Sequence, residues 1–212
     1  MQDNVPDEIL MKYYSSGDIH SFETLVRRHE KPVYNYILRI LKDRTLAEDV
    51  LQETFIRVVR HAARYRPDAK FTTWLYRIAR NLCIDKIRRK KIRNYISMSV
   101  PIRNYQGSET SLEDCLKSSD PPPEEVIQAR ELERAVEDAL AQLPTPQREV
   151  FLFRHQVGLS FKEISAVMEC PEATAKSRMR YALMRIREYL EKMQFLENSI
   201  PEKCKGIEHE LH

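Results

Sequence analysis

Apolar residues recur at three- and four-residue intervals through two long stretches of this chain, the pattern of helices that bury one face. From Asp7 to Arg93 it predicts several helices with short connections. Pro32 suits the first turn of one, and Val33, Tyr36, Ile37, Ile40 and Leu41 follow at helical spacing. Thr45 and Glu48 stand in capping-box spacing and predict the start of the next. Its inward stripe would be Leu51, Phe55, Val58, Val59 and Ala62, with Asp49, Gln52, Glu53, Ile56 and Arg57 on the other face. A turn at Arg66-Pro67-Asp68 leads to a fourth pattern, with Thr72 or Thr73 as cap and Trp74, Leu75, Ile78, Ala79, Leu82 and Cys83 inward.

Periodicity fails between Asn94 and Pro123, where Ser, Asn and acids accumulate before Pro121-Pro122-Pro123. That composition reads as a flexible linker. Helical spacing resumes at Glu124 and runs to about Met193, broken at Pro144-Thr145-Pro146, Gly158 and Pro171. The expected fold is therefore all-α, two small helical domains at residues 1–93 and 124–193 joined by the linker 94–123, with a C-terminal tail at 194–212. The second domain is expected to contain a helix-turn-helix. Ser160 and Glu163 form a capping box, Ile164, Val167 and Met168 point inward, and a tight break at Glu169-Cys170-Pro171 follows. Ala175, Met179, Ala182, Leu183, Ile186 and Leu190 then line a longer helix. Short helix, turn and long basic helix is the geometry that places side chains in a major groove.

Composition sharpens this picture. Only 4 of 212 residues are Gly, so hairpin-rich folds and Gly-rich phosphate loops are disfavoured. The net charge of +3, from 35 Lys+Arg and 32 Asp+Glu, does not mark a polyanion binder, but its distribution is uneven. Tyr76 to Arg93 carries eight bases against the single acid Asp85, whereas Glu113 to Asp138 is strongly acidic. Arg77, Asn81 and Arg88 share one stripe of the fourth helix, with Arg80 beside it. Tyr65, Phe71, Trp74 and Tyr76 lie just upstream, and aromatics beside cations suit single-stranded nucleic acid. A solvated helix end would show the same basic run, and Trp74 fits a core as well as a platform. On the last helix Ser177, Arg180, Tyr181 and Met184 face outward, flanked by Lys176, Arg178, Arg185 and Arg187. An ordinary helical hairpin with a solvated basic face shares that spacing.

Three motifs carry a resemblance. Phe71-Thr72-Thr73-Trp74-Leu75-Tyr76-Arg77-Ile78-Ala79-Arg80-Asn81, with Asp85 and the basic run after it, resembles the promoter-melting helix of extracytoplasmic-function (ECF) sigma factors of bacterial RNA polymerase. Ala47-Glu48-Asp49-Val50-Leu51-Gln52-Glu53-Thr54-Phe55 is similar to that family's polymerase-docking helix, and Thr174-Ala175-Lys176-Ser177-Arg178-Met179-Arg180 to its promoter-reading helix. The three occur in the family's order. The resemblance implies that the first domain is sigma region 2, which grips core RNA polymerase through Asp49, Gln52, Glu53 and Phe55. It implies that Phe71, Thr72, Tyr76, Arg77, Arg80, Asn81, Lys86, Arg88 and Arg89 recognise and melt the minus-ten element. The second domain would be sigma region 4, reading the minus-thirty-five duplex through Thr174, Lys176, Ser177, Arg178, Arg180 and Tyr181. An anti-sigma factor is a further partner implied by the family. Ala173 stands where the family usually has Gly, and Glu169-Cys170 replaces a common Gly-containing turn.

Catalysis finds little support. His29-Glu30 is not followed by a second His at metal-ligand spacing, no catalytic triad can be placed, and neither a metal nor another cofactor is expected. Cys204, His209, Glu210 and His212 could gather round a metal in the tail, and Cys170 could sense redox state, although a packed turn cysteine fits it better. The four cysteines lack CxxC spacing, and neither a signal-peptide segment nor a membrane span is present, which implies a reduced, cytoplasmic protein. The competing function is a stand-alone helix-turn-helix transcriptional regulator, which has no need of the face formed by Asp49, Gln52 and Glu53.

Overall fold

The computed structural model describes residues 5–66, 70–98 and 124–193; of these, 94–98 and 124–129 are described as helical backbone only. All regular structure among the described residues is helical. α1 spans Asp7–Ser15, α2 Ile19–Leu41, α3 Arg44–His61 and α4 Phe71–Met98, with a single 3-10 turn at Ala62–Arg64. The second half contributes α5 Glu124–Gln142, α6 Thr145–His155, α7 Phe161–Met168 and α8 Glu172–Lys192. The all-α expectation with a helix-turn-helix in the second half therefore holds.

Several local expectations shift. Pro32 does not open a helix but lies inside α2, which begins thirteen residues earlier at Ile19. There the Asp18 carboxylate accepts from the His20 N–H at 3.1 Å and from the Ser21 hydroxyl at 2.6 Å. A proline at this depth removes one helical hydrogen bond. Packing holds the helix together across it: Leu25 and His29 before it, and Val33, Tyr36 and Ile37 after it, are all buried. The cap of α3 is Asp43, not Thr45: Lys42 turns the chain through the left-handed region (φ 54°), leaving Asp43 extended to accept from the Leu46 N–H at 3.1 Å. The buried stripe of α3 is Ala47, Val50, Thr54 and Val58, so Leu51 and Phe55 are half-buried and Val59 is exposed. Neither Thr72 nor Thr73 caps α4. The helix starts at Phe71, whose N–H donates to the Glu8 carboxylate of α1 at 2.9 Å, and Thr73 is turned inward with its hydroxyl unpartnered. An acid from another helix has taken the capping role, a contact that local spacing cannot reveal.

The first-half core joins Leu10 and Met11 of α1, Leu25 and Ile37 of α2, Val50 and Val58 of α3, and Phe71, Leu75 and Cys83 of α4. In the second half Leu152, Phe153, Ile164, Val167, Ala175, Met179 and Ala182 are buried from α6 to α8. Arg148 of α6 is a buried organising group. Its guanidinium donates to the carbonyls of Leu140, Ala141 and Leu143 at 2.7–2.9 Å, satisfying the end of α5 and the turn that follows.

These cores meet. Phe153 stacks on Tyr36 (centroids 4.9 Å apart) and meets Tyr76 edge-on (5.8 Å), while Tyr36 and Tyr76 form a T-shaped pair at 5.5 Å. Arg39 pairs with Glu137 at 2.7 Å, Lys42 donates to the Ala141 carbonyl, and α7 lies against α4.

One ionic cluster ties α1 to α2. Arg28 donates to the Val5 carbonyl and the Asp7 carboxylate, both at 2.7 Å, and His29 Nε2 lies 2.6 Å from the other Asp7 oxygen. Burial pushes the Asp7 carboxyl up, yet hydrogen bonds from His29 and Arg28 outweigh it and hold the group below its ordinary 3.8. A depressed folded-state value means that the ionised group stabilises the fold above the ordinary value, and that this contribution fades as pH falls through the lowered one. Asp7→Asn is therefore expected to lower stability by about 1–2 kcal/mol at pH 7, after discounting for partial solvent screening. In urea titrations the gap between variant and parent should close below about pH 4. A gap that widens on acidification would show that Asp7 acts otherwise.

Candidate nucleic-acid interface

α4 divides its circumference among three tasks. Leu75, Ala79, Leu82 and Cys83 face the core, and burial lifts the Cys83 thiol to about 12, with the nearby Glu149 carboxylate adding to the shift. Arg77, Asn81, Arg88 and Arg89 are exposed, continuing into Lys90, Lys91 and Arg93. The spacing 77, 81, 88 keeps this surface on one side of the helix. Lys86 is half-buried and leans toward α3, its Nζ 3.6 Å from Asp49.

The third face is covered. Arg80 is 13% exposed and its Nε lies 3.2 Å from the Glu149 carboxylate of α6, itself 2% exposed. The Tyr36 hydroxyl donates to the same carboxylate at 3.3 Å. Burial raises the Glu149 carboxyl above its ordinary value against the pull of Arg80, and burial together with Glu149 pushes the Tyr36 phenol well above 10. Glu149 was not among the residues singled out from sequence. Its one signal there is register: it stands three and four residues before Leu152 and Phe153, so it shares their inward face.

Two aromatic candidates for the minus-ten surface are not on it. Phe71 is fully buried among His29, Tyr65 and Trp74, because the helix start turns it into the first-half core. Tyr76 is 1% exposed, wedged between Tyr36 and Phe153. Thr72 is half-buried, as is Trp74. Of the turn expected at Arg66-Pro67-Asp68, residues 67 and 68 lie outside the described residues.

On α3 the four docking candidates share a neighbourhood. Asp49 and Gln52 are exposed, and Glu53 is half-buried and paired with Arg57 at 3.0 Å. Phe55 is half-buried, packing edge-on against Phe22, which stacks on Tyr14. Exposed Ile56 and Val59 add an apolar component, and Val59 was missed because periodicity alone assigns it inward.

The helix-turn-helix is built as its sequence suggests. Ser160 and Glu163 exchange both capping-box hydrogen bonds, and α7 ends in a left-handed residue, Glu169 (φ 52°). The Cys170 N–H closes the turn on the Ser165 carbonyl at 3.1 Å, and Pro171 opens α8. The turn thus adopts left-handed geometry without glycine. Ala173 sits in the first turn of α8 without a positive φ. Along α8, Arg180 and Tyr181 are exposed, with the guanidinium 5.5 Å from the ring centroid. Met184 is exposed beside them. Lys176 pairs with Glu172 at 3.2 Å, and the Ser177 hydroxyl donates to the Thr174 carbonyl at 3.0 Å. Arg178 is half-buried, with Nη1 3.7 Å from Cys170 Sγ. Cys204, His209 and His212 lie outside the described residues. No described helix is long and apolar enough to cross a membrane.

Comparison with known proteins follows the same division. Residues 25–92 match the family Sigma-70 region 2, and residues 133–186 match Sigma-70, region 4. The chain is 32% identical to the RNA polymerase sigma-H factor of Pseudomonas aeruginosa, over 88% of this chain and 92% of that protein. It is 30% identical to the ECF RNA polymerase sigma factor SigW of Bacillus subtilis, over 85% and 94%. The ECF RNA polymerase sigma-E factor of Haemophilus influenzae is 32% identical over 90% and 96%. Among solved structures, CnrH in complex with the cytosolic domain of CnrY has the same fold, with a TM-score of 0.61 at 24% identity over 88% of this chain and 97% of that one. So does the sigma factor RpoE of Bartonella quintana, solved with the anti-sigma factor NepR, at TM-score 0.61 and 20% identity over 82% and 98%. A stand-alone regulator does not account for both regions recurring in one order through relatives of nearly full length. The chain belongs to the ECF family of RNA polymerase sigma factors, the subunits that bind core polymerase and direct promoter-specific initiation.

Proposed function

We propose that three surfaces divide the work of initiation. The exposed side of α4, centred on Asn81 with Arg77, Arg88 and Arg89, holds the opened minus-ten strand. The outward side of α8, centred on Arg180 and Tyr181, reads the minus-thirty-five duplex. The α3 face of Asp49, Gln52 and Glu53, with Ile56 and Val59, docks on core polymerase. Region 2 work thus falls within residues 1–93 and region 4 work within 124–193. The observation that carries this reading is the exposure of Arg77, Asn81, Arg88 and Arg89 along one side of a helix whose opposite side is core.

The chemistry follows from what a duplex hides. Watson–Crick edges are inaccessible until a base leaves the stack, so a melting factor must capture an unpaired base and neutralise the backbone that carries it. Asn81 offers a side-chain amide with both donor and acceptor, suited to a base edge. The arginines supply charge without sequence preference. On α8 the order is reversed: Arg180 can reach guanine bidentately in the major groove, while Lys176 and Arg178 lie lower on the helix and suit phosphates. The protein is on this reading a binding factor that works in the cytoplasm, with the polymerase supplying the catalysis. An anti-sigma factor, by analogy with the Bartonella pair, completes its partners.

Core polymerase with this chain should initiate at a promoter, obtained by selection from random DNA, that core alone ignores. Gln52→Ala with Glu53→Ala should weaken the complex in gel filtration while helical content stays intact. Unchanged affinity would remove the docking face.

Asn81→Ala should impair strand opening more than initial promoter binding, seen as reduced permanganate reactivity of minus-ten thymines at saturating polymerase. Arg88→Ala and Arg89→Ala should each lower the salt dependence by roughly one phosphate contact. Normal thymine reactivity in the Asn81 and Arg77 double variant would place melting elsewhere.

Arg180→Ala should cost ~1–3 kcal/mol on the preferred minus-thirty-five site and relax base preference there. Arg178→Ala should weaken all sites alike. Selection that returns the parental preference from Arg180→Ala would refute this geometry.

A further inference from the structure

The cations of α8 are held in different ways, and the difference sets how free each is to meet DNA. Lys176 pairs with Glu172 one turn before it, and Arg187 with Glu191 one turn after it, both at 3.2 Å. Arg178 is half-buried, with its Nη1 directed at Cys170 Sγ at 3.7 Å. Arg180 has no acid beside it on the helix surface, since the residues one turn away are Lys176, Ser177, Leu183 and Met184. Its guanidinium lies instead over the Tyr181 ring, 5.5 Å from the centroid and within the range of a cation–π contact. That tyrosine is itself 46% exposed, so the pair stands out from the helix together.

The two kinds of partner have opposite consequences for recognition. A carboxylate engages the edge of a guanidinium, the same N–H fork that guanine O6 and N7 would take. Such an ion pair must break before a base can be read. An aromatic ring engages the face and leaves the N–H donors in the guanidinium plane free. It also restrains a long side chain that otherwise loses rotamer freedom on binding.

We infer that Tyr181 is a positioning residue for Arg180: its ring holds the guanidinium by the face and leaves the N–H fork free for a guanine in the minus-thirty-five duplex. Tyr181 then acts on base preference through Arg180, and its hydroxyl is not what reads the site. The preference carried by the two residues is one preference, not two. The inference rests on the reading of Arg180 as the group that meets a base edge.

The test uses holoenzyme assembled from core polymerase and the full chain, bound to the minus-thirty-five duplex recovered by selection. Arg180→Ala first identifies the base pair whose preference depends on the guanidinium. At that base pair Tyr181→Leu, which keeps an apolar side chain but removes the π face, should lower discrimination roughly 2- to 5-fold, the size of an exposed cation–π contact. Preference at the other positions should stay parental. Tyr181→Phe, which keeps the face and drops the hydroxyl, should restore the lost discrimination. In the Arg180→Ala background Tyr181→Leu should change nothing further at that base pair. A purely structural role for Tyr181 predicts equal weakening on every duplex with discrimination unmoved, and that result would overturn the inference. So would a change of preference at a different base pair, failure of Tyr181→Phe to rescue, or an effect of Tyr181→Leu that persists without Arg180. Arg180→Ala that leaves every base preference intact is a separate failure: the reading of Arg180 itself falls, and the positioning role falls with it.

Discussion

A carboxylate with almost no exposure, held by one guanidinium and one phenol, ties the two described halves of the chain together. Glu149 sits on α6, Arg80 on α4 and Tyr36 on α2, so a single buried charge fixes the relation of three helices from two halves of the chain. A charge at that depth tolerates few alternative packings, because most would strand it without a partner. The Tyr36, Tyr76 and Phe153 rings supply apolar contact round the pair, and Arg39–Glu137 and Lys70–Glu163 lie at its periphery.

The same constraint explains why α4 must be read in three sectors. Its core sector would exist in any amphipathic helix, and its basic sector is plain from composition. The sector holding Tyr76 and Arg80 is covered only because the second half lies on it. An exposed aromatic and a free arginine would be expected there in the first half taken alone. Packing across the seam converts both into interior groups.

How much of this was legible in the sequence depended on the range of the interaction involved. The eight described helices follow from three-to-four-residue spacing, and the Ser160–Glu163 box reads directly because both partners are local. Spacing also placed Asn81, Arg77, Arg88, Arg180 and Tyr181 on outward faces, where they are found. The failures share a cause in tertiary contact. Glu8 caps α4 across sixty-three residues, so neither threonine at the helix start is needed for it. Pro32 is carried inside α2 by packing on either side, although local rules place it at a beginning. The stripe of α3 rotated toward Thr54, whose hydroxyl is satisfied by the Val50 carbonyl at 2.7 Å and so can be buried despite its polarity. The Glu149 seam lay furthest from view, since its partners are separated by 69 and 113 residues.

The helix-turn-helix builds its turn without glycine. A left-handed residue is required where α7 ends, and glycine meets that requirement with least strain. Glu169 accepts it at φ 52°, a modest backbone penalty that the surrounding contacts offset: Val167 and Met168 are buried immediately before it, and the Cys170 N–H bonds back to Ser165. Pro171 then fixes the chain direction into α8, whose first turn needs no positive φ, so Ala173 is as suitable there as glycine and favours the helix more. The orientation of Arg180 and Tyr181 is thus set by the buried faces of α7 and α8, with the turn residues free to vary as long as one of them can adopt the left-handed conformation.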